Sequence, residues 1–165
     1  MKEEKIEESL QDHTLDRVDR RILATLQANG RISNQELAST VHLSPAQCNR
    51  RHRRLERLGF VKRYEARLDA DRLGLGVTAF VHITMERGQF KEVLKFQRTI
   101  ERMPEILECH AVTGDFDYVC KVVASDLKSL SNFLLGTLAQ LPGVNGVRSS
   151  ICLNELKCTS ALPLE

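Results

Sequence analysis

The sequence contains no tryptophan, no Cys-x-x-Cys pair and no apolar run of the ~18 residues that a membrane-spanning helix requires. Its first residues, MKEEKIEESLQDHT, carry acidic groups where a secretory signal needs an apolar core, so we expect a cytoplasmic protein. The five cysteines are an odd count, and no His or Cys pair stands at the spacing of zinc ligands. We therefore expect no disulfides, no metal site and no cofactor, and we interpret the cysteines as small core residues.

Groups that could catalyse a reaction are also scarce. Cys109 and His110 are the only adjacent Cys and His, and neighbours on a strand point to opposite faces. A phosphate-binding loop and a nucleophile with an adjacent base are both missing from the pattern. The sequence therefore does not favour an enzyme.

Basic charge is concentrated in one segment. Residues 1–13 hold two basic and five acidic groups, residues 14–75 hold 13 and 7, and residues 76–165 hold 9 and 10. The middle segment is therefore strongly positive although the whole chain has a formal charge of only +2. A basic segment next to a neutral one is typical of a polyanion-binding module joined to a domain with a different function. The alternative is a solvated helix face, which can carry the same charge.

Three short helices are predicted before residue 60. The pattern LDRVDRRILATLQA has helical apolar spacing and ends at an Asn-Gly pair. Ser33 and Glu36 form a capping box for the second helix. Ser44 and Pro45 begin the third, and Gly59 ends it. FVKRYEARLD then alternates like a strand or short ribbon, so the segment is predicted to be a winged helix-turn-helix.

The third helix is rich in arginine. If Cys48, His52 and Leu55 face the core, a rotation of about 100° per residue turns four arginines outward. In a helix-turn-helix this helix enters the major groove of DNA with its first turns toward the bases. We predict base contacts from Gln47, Arg50 and Arg51. Phosphate contacts are predicted from Arg53, Arg54, Arg57, Lys62 and Arg63, and from the start of the second helix at Ser33 and Asn34. The predicted DNA-binding residues are Ser33, Asn34, Ser44, Gln47, Asn49, Arg50, Arg51, Arg53, Arg54, Lys62 and Arg63.

The second half of the chain predicts the order β-α-β-β-α-β. VTAFVHITME, ILECHAVT, YVCKVVA and VRSSICLNEL have the alternation of strands, and the Pro-Gly and Asn-Gly pairs before the last predict turns. Two helical stripes separate the strands: Phe90, Val93, Leu94, Gln97 and Ile100, then Leu127, Leu130, Leu134, Leu138 and Leu141. Asp126 is the expected cap of the second of these helices. This order predicts an α+β, ferredoxin-like domain with both helices on one face of an antiparallel sheet.

The other face of that sheet would be bare. It is predicted to carry Phe80, Ala111 or Cys109, and Cys152. Because an uncovered apolar sheet face is normally buried against something, we expect a second copy to cover it and the protein to be at least a homodimer.

The segment LDRVDRRILATLQANGRISNQELASTVHLSPAQCNRRHRRLERLGFV resembles the winged helix-turn-helix of the Lrp/AsnC, or feast/famine, transcriptional regulators. The resemblance continues through ECHAVTGDFDYVCKV and LPGVNGVRSS. It implies a bacterial or archaeal transcription factor, dimers built across the sheet face, assembly into octamers, and amino-acid effectors bound between dimers. The expected organisation is an acidic tail (1–13), a DNA-binding domain (14–67), a linker (68–76), an amino-acid-responsive domain (77–160) and a C-terminal tail (161–165).

The connection over residues 112–118 predicts, on its own, a hairpin whose Gly and Asp supply the turn. The resemblance implies that it also binds the effector, with Gly114 letting backbone N–H groups approach a carboxylate and an aspartate facing the ammonium group. Leu127 and Ala139 would lie near the contact between dimers. The implied effector residues are Ala111, Thr113, Gly114, Asp115, Asp117, Tyr118, Ser150, Ile151 and Cys152.

Three residues of the third helix depart from the family pattern. His52 stands where relatives have an aliphatic residue, and Asn49 and Arg50 replace an apolar-acidic pair. His52 is either a partly buried, hydrogen-bonded side chain, which we favour, or a phosphate contact. The expected function is a sequence-specific regulator of amino-acid metabolism genes that responds to an amino acid, and the alternative is an architectural DNA-wrapping protein without an effector.

Overall fold

The computed structural model describes residues 14–86 and 90–164, so the predicted acidic tail lies outside the described residues. The chain divides into two compact units. Residues 14–67 together with residues 158–164 make the first, and residues 68–157 make the second. The C-terminal segment thus belongs to the first unit, whereas the sequence pattern places residues 77–160 in one domain and leaves 161–165 as a tail. In the described part of the chain, no helix is long and apolar enough to cross a membrane.

The first unit is built from three helices: α1 (Arg17–Ala28), α2 (Asn34–Val41) and α3 (Pro45–Arg57). Each begins with a capping box, in which the side chains of Asp16, Ser33 and Ser44 accept a hydrogen bond from the amide three residues on. His42 ends α2 in the left-handed conformation and starts the short turn to α3. The three helices bury one apolar core: Ile22, Leu23, Leu26, Leu37, Ala38, Val41, Cys48 and Leu55.

The strand or ribbon predicted over residues 60–69 is wrong. This stretch has no strand pairing in the structure. Val61 packs against the helical core and Tyr64 bonds to α3, but Phe60, Tyr64 and Leu68 are exposed. The apolar alternation of this segment therefore corresponds neither to a β-ladder nor to a buried face.

The second unit is a four-stranded antiparallel sheet in the order β2-β3-β1-β4 with two helices. The predicted β-α-β-β-α-β order and the α+β class are confirmed. The elements are β1 (Val77–Met85), α4 (Phe90–Ile100), β2 (Ile106–Ala111), β3 (Tyr118–Ala124), α5 (Leu127–Gly136) and β4 (Val144–Ile151).

One face of the sheet packs on both helices through alternate residues of β1 and β3. The predicted stripe of α4 is partly wrong, because Phe96 is buried against Tyr118 while Leu94 and Gln97 are exposed. Leu127 is also exposed, since it occupies the first turn of α5. Asp126 caps α5 as predicted, accepting from the Ser129 amide at 2.7 Å.

The last strand and the bare face also differ in detail from the prediction. Asn145 and Gly146 lie inside β4 and form no turn, and the strand ends at Ile151. Phe80 lies on the helix-free face and is 42% exposed. Cys109 and Ala111 pair with the buried Cys120 and Tyr118, so they lie on the helix-covered side and not on the bare face. Of the cysteines, Cys48 and Cys120 are buried core residues, whereas Cys158 is exposed.

Candidate functional site

The exposed side of α3 carries a row of arginines, which we call the arginine face: Arg50, Arg53 and Arg57. Their spacing of three and four residues places all three on one side of the helix. All three are exposed and make no ion pair within the described residues. They line a shallow concavity with Asn49 and Thr14. Positive charge without an internal partner is available to an anionic ligand.

Arg51 and Arg54 have different surroundings. The Arg51 guanidinium pairs with Asp16 at 2.6 Å and with Asp19 at 2.8 Å, and Arg54 pairs with Asp19 at 3.3 Å. Asp19 is 1% exposed, so this is a buried junction between α1 and α3. The hydrogen bond with Asp19 raises the pKa of Arg51. Both arginines therefore have a structural role, and the base contact predicted for Arg51 and the phosphate contact predicted for Arg54 stay predictions.

The sequence contains a signal for this junction in the position of Asp19 on α1. Asp19 lies on the same stripe of α1 as Leu15, Ile22 and Leu23, which face the core. A charged group on an apolar stripe must have a partner of opposite charge when it is buried. The arginines of α3 were the available partners.

Gln47 also has a local role. Its side-chain oxygen accepts from the Ser44 backbone amide at 3.4 Å, which completes the capping box of α3, and from the Ser44 hydroxyl at 3.0 Å. The side chain remains exposed at the first turn. Its predicted base contact would require these hydrogen bonds to break.

His52 is partly buried and hydrogen-bonded, as we favoured. Its Nε2 lies 2.6 Å from the Tyr64 hydroxyl, and its Nδ1 lies 3.4 Å from the Asn34 amide oxygen. Tyr64 donates to Glu56 at 3.0 Å. Burial and the bond to Glu56 raise the pKa of Tyr64 to about 12, so the phenol stays protonated. This network attaches the segment after α3 to the helix.

The remaining predicted DNA contacts are on the surface of the same unit. Ser33 caps α2 and bonds to Glu36, Asn34 begins that helix, and Lys62 is exposed. Arg63 pairs with Glu65 at 2.6 Å, but both side chains are largely exposed. Such a pair contributes little and is easily exchanged for another anion.

A cleft of about 480 Å³ lies at one end of the sheet in the second unit. Gly114, Asp115 and Asp117 from the β2–β3 connection line it together with residues from the end of β1 and with Asn145. Gly114 has φ +117°, a conformation that L side chains rarely adopt. Asp117 accepts from the Met85 amide at 2.7 Å and so holds the connection against β1. The charged side chains that line the cleft are all acidic, which suits an ammonium group.

The other predicted effector residues are not gathered at this cleft. Tyr118 is a core residue, 8% exposed, whose hydroxyl accepts from Gln97 at 3.2 Å, so its predicted effector role is not supported. Ser150 and Ile151 pair with Phe80 and Ala79, whereas Tyr118 pairs with Ile83. At about 3.3 Å per residue the two groups are roughly 13 Å apart along β1. Ala111 and Thr113 are exposed beside the cleft, and Cys152 follows β4 at the far end.

Phe116, which the sequence analysis did not single out, lies over the helix-free face. Its ring centroid is 4.7 Å from that of His82, and the Arg148 guanidinium lies over the ring at 5.5 Å. A cation over an aromatic face is a favourable contact. Phe116 therefore connects the cleft-forming segment to the bare face of the sheet.

Comparison with known proteins assigns each of the two units to a known domain family. Residues 15–62 match the model of a winged helix-turn-helix DNA-binding domain, and residues 78–162 match the Lrp/AsnC ligand binding domain. The chain is 43% identical over 151 residues to the leucine-responsive regulatory protein of Escherichia coli (strain K12), covering 92% of each protein. This chain belongs to the Lrp/AsnC family.

Solved structures of Lrp/AsnC regulators have the same architecture. A transcriptional regulator of Neisseria meningitidis, in complex with L-Met, superposes with a TM-score of 0.89 at 39% identity, over 92% of this chain and 97% of that one. An AsnC family regulator from Agrobacterium tumefaciens has a TM-score of 0.85 at 31% identity, over 91% of this chain and 97% of that one. The protein is thus a DNA-binding transcriptional regulator of the Lrp/AsnC type with a ligand-binding domain.

Proposed function

We propose that this protein is a sequence-specific regulator of amino-acid metabolism genes whose assembly and DNA binding respond to a small amino acid. The observation that carries the DNA part is the arginine face, three exposed arginines without internal partners on the second helix of a helix-turn-helix. Arg50 is the foremost candidate for a base contact, because it is nearest the start of α3. Arg53, Arg57 and Lys62 are candidates for phosphate contacts.

A pair of matched variants tests the DNA part. Arg50→Ala should relax the preference for a selected operator, with a loss of about 1–3 kcal/mol in discrimination at one base pair. Lys62→Ala should weaken binding to all sequences alike and lower the salt slope by about one charge. Arg98→Ala, an exposed arginine of the second unit, is the control for loss of charge. Unchanged operator preference after Arg50→Ala would refute the proposed contact.

The cleft beside Gly114 supports an amino-acid effector. Asp115 is exposed there and is a candidate partner for the ammonium group, while Asp117 holds the backbone in place. Gly114 and Asn145 also line the cleft, so the backbone N–H groups at Gly114 and the Asn145 amide are candidate donors to the effector carboxylate. We propose that a neighbouring subunit completes the site. The relative from Neisseria meningitidis is complexed with L-Met, and the relative from Escherichia coli is named as leucine-responsive. L-methionine and L-leucine are therefore the first probes.

A thermal-shift panel of the common amino acids tests the effector part. A ligand at 100 times its Kd should stabilise the folded state by about 2.7 kcal/mol. Asp115→Ala should abolish that shift without changing DNA binding. No shift with any amino acid would instead favour the architectural DNA-wrapping function.

We further propose that homodimers form across the helix-free sheet face and assemble into octamers. Phe80 is large, apolar and 42% exposed on that face, which supports burial against a second copy. A closed, symmetric assembly also presents two DNA-binding units at a fixed spacing, as helix-turn-helix dimers require.

A further inference from the structure

The C-terminal segment, residues 158–164, returns from the second unit to the first. The chain leaves β4 at Ile151 and reaches this segment after six residues. The chain therefore passes between the units twice, once after Arg67 and once before Cys158. A single flexible linker would leave the DNA-binding unit restrained at one point only.

Three contacts hold the segment on the first unit. The Gln27 side chain of α1 makes two hydrogen bonds to the Leu162 backbone, donating to its carbonyl at 3.1 Å and accepting from its amide at 2.6 Å. Leu164 packs against the helical core. Arg67 donates to the Cys158 carbonyl at 2.7 Å, so the two crossing points lie side by side.

The two bonds from Gln27 imitate one rung of a β-ladder, because a primary amide offers the same donor and acceptor as a peptide group. Both hydrogen bonds join Gln27 to the backbone of Leu162, whose side chain is 69% exposed. The contact therefore depends on Gln27 and on the amide of residue 162, while the identity of that side chain is of little consequence.

We propose that residues 158–164 form a strap that restrains the DNA-binding unit, with Gln27 as its positioning residue. In a dimer, two DNA-binding units that are already restrained lose less freedom when both bind one duplex, so the strap should raise DNA affinity. This argument rests on the homodimer proposed above. It does not depend on the amino-acid effector.

Variants of the full-length chain distinguish the effect of the Gln27–Leu162 hydrogen bonds from the effect of the Leu162 side chain. Gln27→Ala removes both side-chain bonds from an exposed helix position, and Leu162→Pro removes the amide that donates to Gln27. Leu162→Ala is the matched control, because it keeps the backbone bonds. We expect exchange of the amides of residues 159–161 and 164, which every variant keeps, to accelerate about tenfold in the first two variants and to be unchanged in the control.

DNA affinity tests whether the strap positions the unit. The probe is a mixed-sequence duplex of about 30 base pairs, long enough for two half-sites one helical turn apart. Gln27→Ala and Leu162→Pro should bind it about threefold more weakly, with an unchanged salt slope because the phosphate contacts are the same.

Unchanged exchange in both variants would show that the strap is not docked. Faster amide exchange with unchanged DNA affinity would overturn the positioning role. So would a loss of DNA affinity in Leu162→Ala as large as the loss in Gln27→Ala and Leu162→Pro. Light scattering on the native protein tests the dimer separately, and the exchange result tests the docking of the strap whatever the oligomeric state.

Discussion

At the scale of single residues, the most informative side chain is the buried carboxylate of Asp19. It accepts from two arginines of α3, and it is almost fully enclosed. A buried ion pair adds little net stability compared with apolar packing, but removing one partner leaves the others uncompensated. Asp19 therefore fixes how α3 lies on α1, and with it the direction of the arginine face.

We expect Asp19→Ala to lower the free energy of unfolding by about 3 kcal/mol, because the mutation removes the ion pairs that Arg51 and Arg54 both make with this buried carboxylate. Urea denaturation followed by circular dichroism measures the change. Asp69→Ala is the control, since it removes an exposed carboxylate paired with Arg72 and should cost less than about 1 kcal/mol. Equal effects of the two variants would contradict the structural role of Asp19.

Asp16 makes part of this junction dependent on pH. Burial opposes its charge, but the hydrogen bond from the Asp19 amide and the pair with Arg51 outweigh it and lower its pKa. A lowered pKa contributes stability above the ordinary carboxyl value near ~3.9, and that stability is lost as the pH falls through the lowered value. Asp16→Asn, which keeps a capping oxygen, should be less stable than the native protein at pH 7. The difference should shrink below about pH 4, and a constant difference down to pH 2 would contradict it.

At the scale of elements, the turn before β4 is set by a glycine. Gly143 has φ +80°, and a Cβ built there would lie 2.9 Å from the Cβ of Glu92 on α4. The turn therefore needs both a left-handed backbone and the space that glycine leaves. Turn residues at this position determine where β4 starts and how closely it approaches α4.

Gly143→Ala should lower the free energy of unfolding by about 1–3 kcal/mol through backbone strain and this close contact. Gly136→Ala is the matched control, because that glycine ends α5 with nothing within 4 Å of a built Cβ. There the helix propensity of alanine should add up to about 1 kcal/mol. Chemical denaturation of both variants should give shifts of opposite sign, and shifts of the same sign would refute the argument.

At the scale of the whole molecule, two proposals concern how the DNA-binding units are held: the dimer across the helix-free sheet face and the strap. A charged residue in the middle of the bare face would be desolvated in a dimer, whereas it would remain hydrated in a monomer. This difference makes the proposed interface testable without knowledge of the effector or the operator.

Phe80→Asp should convert the dimer to a folded monomer, as measured by light scattering after size-exclusion chromatography. Leu94→Asp is the control, because Leu94 is exposed to a similar degree, 43%, on the helix side. It should leave the dimer intact. If Phe80→Asp still forms dimers, the sheet face is not the interface.

Much of this protein could be predicted from local patterns. The capping box at Ser33, the cap at Ser44, the order of strands and helices and the arginine-rich third helix depend on residues close together in the chain, and these predictions agree with the structure. The ribbon predicted over residues 60–69 was wrong, because an alternating pattern is no sign of a strand when most of its apolar residues are exposed and face no neighbouring strand.

What only the tertiary structure decided are the contacts between distant residues. Which arginines of α3 are free depends on Asp16 and Asp19, some 35 residues earlier. The split of the predicted effector residues into two groups follows from strand register, and the return of the C-terminal segment depends on Gln27, 135 residues from Leu162. Helix caps and periodicity act within a few residues, whereas ion-pair partners, register and docking are chosen by the packing of the whole chain.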